Sequence, residues 1–472
     1  MGPLLLLFLQ ASAYQSGVQA YGERRFADAI PFLERAAAGG SQALAAQYML
    51  GNACLQAHQD AKAVQTFAAL FQVAPDSAAA HLLTAGMMLR ANLPTGAATE
   101  AGRALEIDPH IPQAHYTLGE IALSRGDHVT AVAELQKEIA ANPSFFMAYY
   151  RLGDAYESRG AWNDAIAVLQ RSIWLNPNHS GPYTLIGKAY LKRGDLEDAE
   201  GALRHALDMD PQDQAIRQLL DQAHPSGGAP PQSAPTPSPQ IIGRGEYLAG
   251  HIQAAIPWLE KARAAGDRNN ELFFVLGNSY LQTHQVSKGR AAFADLYGVP
   301  AESGAARLVT AHLLIRLELE DDAQAVLQAA LAREPKLPEA HLMLGEIAIY
   351  RAQIDGAVAE LKREIALNPA FAMAYYRLGD AYTRREDWEH AVPPLQRAVW
   401  LDPTYSGPYI LLGKTYLKQG DLPEAERMLR RALQVDPKNA SAHYLLGRTL
   451  IQAGHEEEGK KLLRRWEELK KE

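Results

Sequence analysis

The chain has 472 residues, of which 47% are hydrophobic, and a formal net charge of −8 at pH 7. This balance, with no block of five like charges, argues against nucleic acid as a partner, because a nucleic-acid-binding face needs clustered Lys and Arg. The single cysteine, Cys54, excludes an intrachain disulfide and any site built from several cysteines.

The first residues combine an apolar run, Leu4 to Leu9, with the sequence Ala11-Ser12-Ala13, which has the small-x-small form of a cleavage site. No Lys or Arg precedes the run. Two interpretations of residues 1–13 stay open: an export signal, or an apolar start to the first helix. We favour the signal, and hence an exported or periplasmic protein over a cytoplasmic one. No run reaches the ~20 apolar residues of a membrane span, so none is predicted.

From Tyr14 onward, apolar residues recur with the spacing of amphipathic helices that come in pairs. The first pair occupies residues 14–38 and has its turn at Gly22. Prolines end the second helices of later pairs, because a proline disfavours helix at the residue before it. Further pairs begin near Ala45, Ala79, Gln113, Met147 and Gly181.

Two periods are nested in the chain. Gly119, Gly153 and Gly187 are 34 residues apart, and residues 148–156 recur letter for letter as 374–382, an offset of 226. A short period inside a longer one indicates a repeat array that was duplicated whole.

The duplication sets the predicted domains. The first array covers residues 14–224 and ends in a lone capping helix. Residues 225–240 are rich in Pro, Ser and Gly and predict a linker, because such a stretch cannot bury a core. The second array covers residues 241–472 and ends in a charged capping helix at about 456–470.

The pair at Met147 shows the repeat pattern in full, and it resembles the tetratricopeptide repeat family. The resemblance implies an all-α fold, an α-solenoid in which helix-turn-helix units stack into a right-handed superhelix. The pattern departs from the family near Gly86, and its copy has His312 in place of the glycine, so irregular units are expected there. The matching positions are Tyr149, Leu152, Gly153, Tyr156, Ala165, Leu169, Ser172 and Pro177.

No catalytic, metal-binding or cofactor-binding residues are predicted. The stretch from Gly407 to Thr415 resembles a phosphate-binding loop but has five residues between its glycines and follows no strand. His115, His341 and His443 share one repeat position, which indicates packing residues rather than ligands.

The resemblance also implies where a partner binds, because the first helices of this family line an inner wall that holds peptides or partner helices. Each wall runs from amide through acidic to basic residues. The alternative is that these charges only solvate the wall. The implied positions are Tyr48, Asn52, Tyr116, Glu120, Tyr150, Arg151, Asp154, Lys188 and Lys192 in the first array, and Phe274, Asn278, Glu346, Tyr376, Arg377, Asp380, Lys414 and Lys418 in the second.

The sequence therefore predicts a non-catalytic scaffold that binds protein or peptide partners through two arrays. An accessory or regulatory subunit of an envelope-associated enzyme or export system is the alternative. The identity of the partner and the oligomeric state are left open by the sequence.

Overall fold

The structure, a computed structural model, describes residues 3–40, 42–211, 213–223 and 238–470, and it describes side chains from residue 12 onward. These residues form 27 α-helices and no strand, as predicted for an all-α solenoid. The helices are α1 (Pro3–Gly22), α2 (Phe26–Ala37), α3 (Ala43–Gln56), α4 (Asp60–Phe71), α5 (Ala78–Arg90), α6 (Pro94–Ile107), α7 (Ala114–Ser124), α8 (His128–Ala141), α9 (Phe146–Ser158), α10 (Trp162–Leu175), α11 (Ser180–Arg193), α12 (Leu196–Met209), α13 (Gln214–Ala223), α14 (Pro239–Leu248), α15 (Ile252–Ala264), α16 (Asn270–Gln282), α17 (Val286–Tyr297), α18 (Gly304–Arg316), α19 (Glu320–Leu331), α20 (Ala340–Tyr350), α21 (Ile354–Leu367), α22 (Ala372–Arg384), α23 (Trp388–Leu401), α24 (Ser406–Gln419), α25 (Leu422–Val435), α26 (Ala440–Gln452) and α27 (Glu456–Leu469).

The pair α9–α10 shows why the repeat glycine is needed. A Cβ atom added to Gly153 would lie 2.5 Å from Cδ2 of Leu169 on the facing helix. That distance is well inside van der Waals contact, so only glycine lets the two helices approach this closely. Gly160, with a φ of +72°, makes the turn between them. The same approach recurs at Gly379, whose added Cβ would lie 2.4 Å from Leu395.

The described residues group into two compact units. Unit 1 combines those up to Ile111 with those from Leu344 onward, and unit 2 is Pro112–Met343. The predicted domain boundaries follow the repeat copies, whereas the units follow proximity in space. Each unit therefore contains helices from both copies.

The ends and the linker are described in part. Helix α1 runs through most of the predicted export signal, and no helix in the described residues is long and apolar enough to cross a membrane. Residues 224–237, most of the predicted linker, lie outside the described residues. Helix α14 begins at Pro239, inside the predicted linker, where the Ser238 hydroxyl accepts a hydrogen bond from the backbone N–H of Ile241.

The two helices predicted as caps, α13 and α27, pack on the helices that precede them. Ile216 and Ala223 of α13 are buried in a cluster with Leu203 and Ala206 of α12 in unit 2. In unit 1, Leu462 of α27 packs against the buried cluster formed by α25 and α26. Each of the two helices therefore buries apolar side chains of its neighbour, as a capping helix would.

Candidate functional site

The first helices of successive pairs lie side by side: α7, α9 and α11 in unit 2, and α22 and α24 in unit 1. We call these the first-helix walls. The wall of unit 2 carries a polar cluster built around Arg151. Its Nε lies 2.8 Å from Oε1 of Glu120, and Nη1 lies 3.8 Å from Asp154. The guanidinium also lies 5.2 Å from the ring centroid of Tyr150. Three predicted site residues thus surround a fourth.

The Glu120–Arg151 pair is partly withdrawn from water. Burial raises the pKa of Glu120, and the charge of Arg151 opposes that rise. Burial is the largest single effect on Arg151 and works against its charged form, but Glu120, Tyr116 and Tyr150 together outweigh it, so the Arg151 pKa is raised. The acidic position of this wall therefore already has its cation.

The cluster recurs in unit 1, where Glu346 of α20 faces Arg377 of α22. Arg377 donates from Nε to Oε1 of Glu346 at 2.7 Å, and its guanidinium lies 5.2 Å from the centroid of Tyr376. The Tyr376 ring meets the ring of Tyr405 edge-on, at 5.1 Å. Asp380 differs from its counterpart Asp154, because it is buried and pairs with Arg384 at 3.1 Å.

The lysines at the basic end of each wall are different. Lys188 and Lys192 on α11, and Lys414 and Lys418 on α24, form no salt bridge with any described residue. Lys192 and Lys418 are exposed. Burial raises the pKa of Glu157 on α9, and the charges of Lys188 and Lys192 oppose that rise. The basic ends thus retain positive charge that the described chain does not pair.

At the other end of the predicted walls, the amides are already bonded. Asn52 Nδ2 donates to the carbonyl of Tyr48 at 2.9 Å, and Asn278 Nδ2 donates to the carbonyl of Phe274 at the same distance. Each amide therefore bonds its own helix one turn back. Tyr116 is in edge contact with Phe145, at a centroid distance of 5.0 Å.

Tyr48 and Phe274 are covered by tryptophans from the other copy. In unit 1 the ring of Tyr48 stacks on Trp400 with a centroid distance of 4.8 Å, and in unit 2 Phe274 stacks on Trp174 at 4.6 Å. We call these two contacts the aromatic clasps. The four residues occupy two equivalent positions related by the offset of 226.

Hydrogen bonds between the two copies accompany each clasp. In unit 1, Arg397 Nε donates to the carbonyl of Leu70 at 2.8 Å, and Arg90 Nη1 donates to the carbonyl of Leu401 at 3.1 Å. In unit 2, His312 Nε2 lies 2.7 Å from the carbonyl of Leu175. These bonds join residues of the first copy to residues of the second.

Two family models described as "Tetratricopeptide repeat" match ranges that together cover well over half of the chain. The chain belongs to the tetratricopeptide repeat family. The matched residues are 20–86, 156–223 and 416–471 for one model, and 89–144, 116–180 and 342–406 for the other.

Several solved structures are similar to this tetratricopeptide protein at low identity. MamA from Desulfovibrio magneticus RS-1 is 20% identical over 36% of this chain and 96% of its own, with a TM-score of 0.34. YrrB, described as a TPR protein with an unusual peptide-binding site, is 22% identical over 36% of this chain and 87% of its own, with a TM-score of 0.32. The Cut9–Hcn1 assembly is 14% identical over 98% and 94%, with a TM-score of 0.37. Comparison with curated proteins gives no match.

The tetratricopeptide pattern did not reveal the clasp residues. Trp174 and Trp400 stand at equivalent positions near the ends of second helices, where the family pattern expects nothing particular. His312 did stand out in the sequence as a departure from the repeat glycine, and its Nε2 lies 2.7 Å from the carbonyl of Leu175, the residue after Trp174 of the unit 2 clasp. Departures from a repeat consensus were therefore the available signal.

Burial or ion pairing accounts for two other reactive side chains, Cys54 and His115. Burial raises the pKa of the Cys54 thiol to about 11, so it stays protonated and unreactive at neutral pH. His115 pairs with Glu134 at 2.7 Å. Among the described residues, no group of three or more His, Cys, Asp or Glu side chains is arranged to hold a metal ion.

Proposed function

We propose that this protein is a non-catalytic interaction scaffold whose first-helix walls bind acidic segments of partner proteins. The family supports the general role, since tetratricopeptide arrays are protein-interaction modules. One observation carries the specific proposal: Lys188, Lys192, Lys414 and Lys418 form no salt bridge with a described residue, whereas Glu120 and Glu346 each have an arginine beside them.

The arrangement favours a ligand with a particular order of groups. Carboxylates of the partner would pair with the lysines at the end of the wall, and apolar or aromatic side chains would rest on Tyr150 or Tyr376. Complementary charge of this kind raises the association rate and selects the register of the bound segment. Aromatic residues supply most of the contact energy at such surfaces.

The clasps restrict which part of each wall is available. Tyr48 and Phe274 were predicted to contact the partner, but each ring already stacks on a tryptophan of the chain. We infer that partners bind along α9 and α11 in unit 2, and along α22 and α24 in unit 1, rather than at these two residues. Two such walls on one chain would raise the avidity for a partner with two acidic segments.

Affinity capture with the full-length protein tests the proposal. The four wall lysines are changed together to Glu, and we expect capture of the partner to fall by about tenfold or more, since several charge pairs are lost. The matched control changes Lys137, Lys288, Lys336 and Lys461 to Glu, which alters net charge equally on exposed residues away from the first helices. Undiminished capture by the wall variant, or an equal loss in the control, would remove the walls as the binding surface.

A further inference from the structure

Unit 1 contains a cavity of about 810 Å³ between the segment that follows α4 and the helices α21, α22 and α23. The size lies within the range of about 300–1,000 Å³ found for small-molecule sites. Much of its lining is apolar, and polar and charged side chains also line it. The apolar lining includes Phe71, Ile365, Leu378, Tyr382, Pro393 and Pro394.

A buried cation lines this cavity. Arg397 is 7% exposed, and its one hydrogen bond to a described residue runs from Nε to the carbonyl of Leu70. It forms no ion pair with a described carboxylate. A guanidinium cannot give up its proton in a protein, so its charge is buried without a counter-charge. Such a charge strongly favours an anion that can reach it.

A buried phenol lies beside the cation. Tyr375 is 3% exposed, lines the same cavity, and its hydroxyl has no hydrogen-bond partner among the described residues. Its ring meets Phe71 edge-on with a centroid distance of 6.0 Å. A buried hydroxyl without a partner is costly, so a ligand oxygen that reaches this O–H gains a hydrogen bond that the described residues do not supply. Arg397 and Tyr375 line the same cavity, and we call their guanidinium and hydroxyl the donor set for an anionic group.

Comparison with the equivalent positions of unit 2 shows which features of the cavity are duplicated and which belong to unit 1 alone. The equivalents of Arg397 and Tyr375 in unit 2 are Arg171 and Tyr149. The Tyr149 hydroxyl, like that of Tyr375, lacks a hydrogen-bond partner among the described residues. Arg171 Nε lacks one as well, whereas Arg397 Nε donates to Leu70. Pro393 and Pro394, however, replace the pair Ala167–Val168. The donor set is thus a duplicated feature, whereas the proline wall belongs to unit 1.

The mouth of the cavity carries exposed charge of both signs. Lys362 lies 5.9 Å from the centroid of Tyr382, and His390 pairs with Asp387 at 2.7 Å. Glu389 also lines the mouth.

The single buried cation favours a carboxylate over a phosphate. A dianionic phosphate would lose its hydration with only one cation to pair with. A carboxylate carries one negative charge, and its planar group fits a guanidinium with two parallel hydrogen bonds.

We propose that this cavity binds a carboxylate attached to an apolar body. The carboxylate accepts hydrogen bonds from Arg397 and Tyr375, and the body lies against Phe71, Pro393 and Pro394. Two sources share this chemistry: a free amphiphilic carboxylic acid, and the C-terminal carboxylate of an apolar peptide. The site shares α22 with the unit 1 wall but uses Tyr375 and Leu378 rather than Tyr376 and Arg377. It goes beyond the binding function proposed for the walls.

Calorimetric titration of the full-length protein with matched probes tests the chemistry. One arm compares decanoate with decanol, and the other compares a peptide of four apolar residues bearing a free C-terminal carboxyl with the same peptide as its amide. We expect a carboxylate probe to bind about tenfold more tightly than its neutral counterpart, because charge-assisted hydrogen bonds are lost in the neutral one. The arm that shows this preference identifies the source. Absence of the preference in both arms would overturn the proposal.

Variants then place the binding in this cavity. Tyr375→Phe removes a hydroxyl that has no described partner, so the fold should persist while carboxylate affinity falls about threefold; Arg397→Gln should abolish the preference for the charged probe. Arg171→Gln and Tyr149→Phe are the matched controls and should leave affinity unchanged. If Tyr375→Phe leaves the carboxylate affinity unchanged, or if the control variants lose as much affinity, the proposed site is contradicted. The wall-lysine variant should bind decanoate normally, so this test and the capture test fail independently.

Discussion

The ring of Trp400 lies parallel to the ring of Tyr48, with centroids 4.8 Å apart and planes inclined by 5°. The two residues come from opposite copies of the duplicated chain, and Trp174 stacks on Phe274 at the equivalent positions with an inclination of 9°. A wall position that the family uses for partners is therefore covered by a residue of the same chain in each unit. The duplication supplied both the wall and the residue that covers it.

The first prediction concerns the stability of the clasp. Trp400→Ala removes the stacked ring and its buried area. We expect the free energy of unfolding to fall by about 2 kcal/mol. This loss is smaller than that for a fully buried tryptophan because Trp400 is half-buried. Urea denaturation followed by circular dichroism measures the change. Trp258→Ala is the control, because that ring is 37% exposed and contacts Lys261. Equal effects of the two substitutions would show that the stacking contributes little.

The second prediction concerns the close approach of paired helices. Gly153→Ala places a methyl group 2.5 Å from the Leu169 side chain, which must shift or push the helices apart. We expect a loss of about 1–3 kcal/mol, the usual cost of overpacking. Gly201→Ala on α12 meets no atom within 4 Å and should stabilise the helix by about 0.5–1 kcal/mol. Thermal denaturation should move Tm in opposite directions; a shift in the same direction would contradict the argument.

The third prediction concerns pH. Glu138 accepts hydrogen bonds from the backbone N–H groups of Gln113 and Tyr116, each at 3.2 Å. Burial nevertheless raises its pKa from 4.5 to about 7. The folded protein thus holds this proton more tightly than the unfolded chain, so the contribution of Glu138 to stability is greatest below pH 4.5 and declines as pH rises to about 7.

Urea denaturation at successive pH values measures this effect. Glu138→Gln should reduce the fall in the free energy of unfolding between pH 4.5 and about 7 by up to about 3 kcal/mol. Glu134→Gln is the contrasting control. Burial opposes the charge of Glu134, but hydrogen bonds from Lys137 and His115 lower its pKa, so its contribution is present above the usual glutamate pKa and lost in acid. A Glu138→Gln profile that parallels the parent protein would show that Glu138 does not titrate there.

Much of the fold followed from local pattern. Gly153, Leu169 and Pro177 recur at fixed spacing because every repeat must solve the same packing problem between two adjacent helices. The side-by-side placement of Tyr150, Arg151 and Asp154 on one wall followed as well, since residues on neighbouring turns of one helix share a face. The salt bridge from Arg151 to Glu120 joins adjacent repeats and needed only the stacking of α7 against α9.

The local sequence pattern did not predict the aromatic clasps or the cavity. Nothing near Trp400 in the chain marks Tyr48 as its partner, and a duplicated surface looks the same whether it stays exposed or becomes covered. Repeat identity and helix ends depend on residues within one or two turns, so the amino-acid order alone specified them. Which wall residue is covered, and which buried guanidinium is left without a carboxylate, depends on apolar area and charge brought together by the folding of distant repeats, and only the assembled chain shows it.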